Sequence, residues 1–87
     1  MTTKILRPNE IMARASCGSS ALHDAVADDL LPKLFKILGG RASGIFEHEL
    51  DEVLTARAAG ASDEQVRQIV RRQVAQRRAS FESLLVA

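Results

Sequence analysis

Apolar positions along the chain fall into short groups whose spacing changes from helical to strand-like and back again. Ile5-Leu6 is a brief apolar anchor after a start, 1–4, that is expected to fray. Pro8 suits the first turn of a helix, where its missing N–H costs nothing, and Ile11, Met12 and Ala15 give that helix a short apolar face. Ser16-Cys17-Gly18 ends it, with Gly18 supplying a backbone angle that other residues resist. Gly18 or Ser19 caps a second helix over about 20–27, which carries Leu22 and Val26 four apart with Ala21 and Ala25 beside them. Leu30-Leu31-Pro32 ends that helix, since the residue before a proline avoids helical angles. The period then becomes two. Phe35 and Ile37 alternate with Lys36, and Gly39-Gly40 predicts a two-residue turn in a hairpin running over 34–46.

Helical spacing returns with Glu47. Glu47 and Glu49 suit the positive end of a helix, and Leu50, Val53 and Leu54 form its stripe up to a terminating Gly60. Ser62 and Gln65 form a capping box for a long helix to about Arg78, with Val66, Ile69, Val70 and Val74 on one face. Arg67, Arg71 and Arg78 border that face, and Phe81, Leu84 and Leu85 lengthen it if the helix continues past Ser80.

Two short helices across a three-residue turn, followed by a basic hairpin and a third helix, predict a winged helix-turn-helix over residues 1–60. The class is mainly α with a small β-hairpin wing. Residues 61–87 form a C-terminal amphipathic helix packed on the same domain or on a partner chain. At 87 residues the chain is near the lower limit for folding without staples. Its three aromatics, all Phe, leave a thin aliphatic core that gains from an extra helix or a partner.

A net charge of +1 does not by itself announce a nucleic-acid binder, but its distribution is informative. Residues 1–60 hold seven cations against eight anions, a net of −1, and residues 61–87 hold five against three, a net of +2. The bland reading of the basic stripe is a solvated helix face. Cys17, the single cysteine, cannot form an internal disulfide and is compatible with a reducing compartment. There is no apolar run of membrane-spanning length and no signal-peptide core, so the expected location is the cytoplasm. Cys17, His23 and His48 are too few soft ligands for a four-ligand zinc site, so no metal or cofactor is expected. Glu47, Glu49 and Asp51 imply no pocket or nucleophile; they read as helix-start charges and a solvated face, and no enzyme is expected.

Taken in order, Leu6-Arg7, Glu10-Ile11, Gly18-Ser19-Ser20-Ala21-Leu22-His23, Leu31-Pro32, Lys36-Ile37-Leu38-Gly39-Gly40-Arg41 and Glu47-His48-Glu49-Leu50-Asp51 resemble the AlpA-like regulators of prophages and mobile elements. These are small relatives of phage excisionases with a MerR-like winged fold. The segment 56–67 is similar to an extension found in one branch of that family. The resemblance covers nearly the whole chain and implies a DNA-binding regulator of transcription or excision, without cofactor, with an integrase or another regulatory protein as a further partner. The chain departs from the family at Ser19 and Asp24, where basic residues are usual. It also has His23 in place of Tyr, and Ile45 or Phe46 in place of Trp. Asp24, Asp28 and Asp29 make the end of the second helix acidic, which repels phosphate.

The candidate DNA contacts follow from both readings. Ser19, Ser20 and His23 lie at the start of the second helix, where backbone N–H groups also point outward; their bland roles are capping and surface. Lys36 and Arg41, flanking the hairpin turn, are the main phosphate candidates, with Lys33 and Arg14 behind them. Val70, Val74, Phe81 and Leu84 are the candidate interface of a homodimer. The competing class is a degenerate helix-turn-helix that serves as a protein–protein interaction module.

Overall fold

The computed structural model describes residues 4–85, and the fraying expected of residues 1–3 lies outside them. The described chain runs β1 (Ile5–Leu6), α1 (Pro8–Ala15), α2 (Ser19–Ala27), β2 (Phe35–Lys36), β3 (Ser43–Phe46), α3 (Glu47–Ala58) and α4 (Asp63–Leu85). The fold is mainly helical, with a small antiparallel sheet of order β1-β3-β2. The anchor Ile5-Leu6 is therefore a strand. Ile5 pairs with Phe46 and Leu6 with Ile45, and the Lys4 carbonyl accepts from the Glu47 N–H at 2.8 Å, so Lys4 is tied down rather than frayed.

Both short helices stop where the sequence marks them, α1 at Ser16 and α2 at Ala27, but by other residues than Gly18 and Pro32. Ser16 adopts the left-handed conformation (φ 53°), and the Cys17 N–H returns to the Met12 carbonyl at 3.0 Å. Gly18 is instead extended (φ −93°, ψ 179°) and is the N-cap of α2, which places Ser19 inside the helix. α2 ends at Ala27 and is closed by Asp29 (φ 60°), before the chain reaches Pro32. Here the Leu30 N–H bonds to the Ala25 carbonyl at 2.8 Å and the Asp29 N–H to Val26 at 3.2 Å, a Schellman closure. Ser and Asp bear the left-handed strain because these bonds satisfy carbonyls that would otherwise be orphaned.

The hairpin pairs Phe35 with Gly44 and Lys36 with Ser43, and the Ile37 N–H reaches the Ala42 carbonyl at 3.0 Å. Four residues, 38–41, make the tip, so the two-residue turn expected at Gly39-Gly40 is not formed. The innermost cross-strand bond joins Ile37 to Ala42 rather than Leu38 to Arg41, which leaves a four-residue tip with Gly39 in the left-handed region (φ 76°).

One core draws on most elements: Leu6, Ile11, Leu22, Ile45, Leu50 and Val53, with Val66 and Val70 from α4. Val70 is only 4% exposed, so it serves this core and cannot belong to a dimer interface as expected from its spacing. Val74, Phe81 and Leu84 remain exposed. α4 opens with the predicted capping box, the Ser62 N–H donating to Gln65 Oε1 at 2.9 Å and the Gln65 N–H to Ser62 Oγ at 3.2 Å. It runs past Arg78 to Leu85. No helix among the described residues is long and apolar enough to cross a membrane.

Candidate nucleic-acid interface

The candidate contacts sit on two elements. Ser19, Ser20 and His23 share the first turns of α2 and are all exposed. With Gly18 as the cap, no side-chain cap bond occupies the two hydroxyls, so capping does not account for them. Asp24, Asp28 and Asp29 are exposed at the other end of the same helix. The second group is the hairpin. Lys36 is the exposed member of a strand whose other residue, Phe35, turns toward the protein, and Arg41 is exposed across the tip. Leu38 stands between them, 92% exposed. α2 packs chiefly on α1, and among the described residues no hydrogen bond or ion pair links the α2 group to the hairpin group.

Counter-ions divide the cations. Arg14 lies 2.7 Å from Glu47 and 4.0 Å from Asp51, so its charge is spent on α3. Arg67 donates to the Asp28 carbonyl at 3.0 Å, and Arg71 meets Glu64 at 2.8 Å. Arg78 meets Glu82 at 3.1 Å and Arg72 meets Glu52 at 2.7 Å. The α4 stripe is thus largely neutralised within the chain. Lys33, Lys36 and Arg41 make no ion pair among the described residues. Lys4 and Arg7, both exposed, also make none, so among the described residues these five are the cations left for an outside anion.

The residue that fixes this region lies outside the predicted stripe. Arg77 donates through Nε and Nη2 to both oxygens of Glu49, at 2.7 and 2.6 Å, and through Nη1 to the Lys33 carbonyl at 2.8 Å. Its guanidinium also lies 5.0 Å from the centroid of the Phe35 ring. One side chain thereby joins α4 to the start of α3, to the link before the hairpin and to β2. Glu49 is 2% exposed and also accepts from the Phe46 N–H at 3.0 Å, so it belongs to the interior and not to the solvated face expected of it. Gln73, 1% exposed, donates to the Glu49 carbonyl at 3.0 Å and to Glu52 Oε1 at 2.9 Å. The burial of Glu49 and Gln73 and the half-burial of Arg77 are masked in the sequence because polar residues at helical spacing look like surface. The available signal was position: Gln73 and Arg77 extend the face begun by Val66 and Val70 by one turn each.

Compared with protein-family models, with curated proteins and with solved structures, the chain matches none.

Proposed function

We propose that this chain is a small winged helix-turn-helix DNA-binding protein that regulates transcription or excision of a prophage or mobile element. In this reading α1 and α2 are the helix-turn-helix and the β2–β3 hairpin is the wing. The observation that carries it is the contrast in pairing: among the described residues Lys33, Lys36 and Arg41 at the hairpin have no counter-ion, as Lys4 and Arg7 have none, while the arginines of α4 and Arg14 do. Cations exposed at a hairpin tip suit phosphate contacts, and the free hydroxyls and N–H groups at the start of α2 suit base edges or backbone. The resemblance to AlpA-like regulators points the same way. The protein then acts in the cytoplasm on double-stranded DNA, with no chemistry of its own and with an integrase or another regulator as a further partner in excision.

The test is fluorescence anisotropy on a duplex from the gene's own upstream region, repeated over a salt series. Neutralising Lys36 and Arg41 together weakens binding to every sequence and lowers the log–log salt slope by about 1.8, the release from two phosphate contacts. Wild-type affinity and slope in that variant, or no binding at low salt, would sink the reading. The interaction-module alternative draws its support from the exposed acids of α2 and from the apolar end of α4.

A further inference from the structure

Past Arg77, α4 leaves the body of the protein. Every residue from Arg78 to Leu85 is exposed, about 12 Å of helix at 1.5 Å per residue. Its one side-chain pair, Arg78 with Glu82, is internal to the helix. Yet this overhang carries Phe81, Leu84 and Leu85, which are 55, 83 and 67% exposed.

Between the overhang and the sheet lies an open groove. Phe35, Phe46 and His48 line one side, and Phe81 and Leu84 the other, with buried Gln73 between. The rings are in contact in series, with centroids 5.0 Å apart for Phe35–Phe46 and 5.5 Å for Phe46–His48. Gln73 Oε1 has no partner within the chain, and the amide cannot reverse, because both partners of its Nε2 are acceptors. The two charged groups that line the groove, Arg77 and Glu49, neutralise each other. The groove therefore offers nothing to an anion and suits an apolar, uncharged segment.

We propose that the groove receives the α4 end of a second copy of this chain. In the two-fold dimer, Leu84 and Leu85 of each copy pack against Phe35, Phe46 and His48 of the other. Two features select this occupant. The overhang is itself such a segment: apart from Arg78 and Glu82, which pair with each other, residues 78–85 bear no charge. The same helix end also lines the groove and carries the apolar side chains to fill it, so a two-fold axis fills both grooves and covers both overhangs at once. An unrelated segment would fill the groove but leave the outer face, Val74 and Leu85, in water. The inference concerns self-association and stands independently of DNA binding.

The test uses the full chain without nucleic acid. Sedimentation velocity from about 5 to about 500 μM, the range spanned by a modest dimer constant, shows a monomer–dimer equilibrium. Leu84→Glu with Leu85→Glu weakens it by about 100-fold or more while circular dichroism stays unchanged, because both side chains are exposed in the monomer. A mixed sample of labelled and unlabelled chains shows intermolecular nuclear Overhauser effects from Leu84 and Leu85 methyls to the Phe35 and Phe46 rings. A monomer throughout, a dimer that survives the double substitution, or a dimer lacking those contacts overturns the proposal. A DNA-binding monomer would overturn it and leave the DNA reading intact.

Discussion

Arg77 and Arg72 sit five residues apart on one helix, each facing a glutamate, and they differ sharply in what they hold. Arg72 meets Glu52 at 2.7 Å with both side chains open to water. Such pairs are worth about 0–1 kcal/mol, because the charges are screened and two long side chains lose freedom. Arg77 faces Glu49, whose carboxylate has almost no other access to solvent. Removing one partner of a buried pair strands the other charge, at a cost of about 3–5 kcal/mol in full burial. Arg77 is itself partly exposed and Glu49 keeps the Phe46 N–H, so Arg77→Met is expected to destabilise by about 2–4 kcal/mol. Arg72→Ala is expected to cost less than about 1 kcal/mol. Urea denaturation of both variants checks the contrast, and equal losses would show that Glu49 does not depend on Arg77. Spacing sets Arg77 on the face of Val66 and Val70, but it does not show which acid either arginine meets. Their roles are set by contacts 20 and 28 residues away in sequence, and a periodicity reports only which face a residue is on.

Among the elements, the long helix and its capping box were legible because propensity, cap and stripe agree over many residues. Elements of two residues were not. β1 has no room for an alternating pattern, and only its pairing with β3 makes Ile5-Leu6 a strand. The same pairing explains Gly44, to which the sequence pattern assigns no role. Its φ is not in the left-handed region, so backbone freedom is not the reason for it. The reason is space: a Cβ there would run into the Leu6 carbonyl oxygen and the Ile5 side chain. Gly44→Ala therefore has to push β1 away from β3, next to the buried Leu6 and Ile45. The expected cost is about 1–3 kcal/mol, the range for forced overpacking, read as a lower urea midpoint at unchanged slope. A neutral Gly44→Ala would mean that β1 is not seated on β3 in solution. The positions where α1 and α2 stop were legible, but the closing residues Ser16 and Asp29 were not, since a Schellman closure by a non-glycine residue leaves no mark in composition.

At the scale of the molecule, the charge sum along the sequence and the pairing of charges in the fold point to different ends. By count, residues 61–87 are the basic part, at net +2, and residues 1–60 are slightly acidic. The fold reverses that ranking for any outside anion. It sets Arg71 against Glu64 and Arg78 against Glu82, and among the described residues it leaves Lys33, Lys36 and Arg41, with Lys4 and Arg7, without ion-pair partners. An intramolecular pair presents nearly no net field beyond a Debye length of about 8–10 Å at physiological salt, whereas an unpaired lysine or arginine keeps its full charge for a phosphate. Under the proposed function, replacing Arg71 and Arg78 by Ala is therefore expected to leave the salt slope of DNA binding within about half a unit of wild type, although it removes as many cations as the Lys36 and Arg41 pair. Stability should fall by no more than about 1 kcal/mol, since both ion pairs are exposed. Anisotropy titrations of the two double variants side by side separate the possibilities. A slope lowered by about 1.8 in the Arg71/Arg78 variant would place phosphate on α4 and take the DNA surface away from the hairpin. An unchanged slope there with a reduced one in the Lys36/Arg41 variant ties affinity to the unpaired cations rather than to the most basic stretch of sequence.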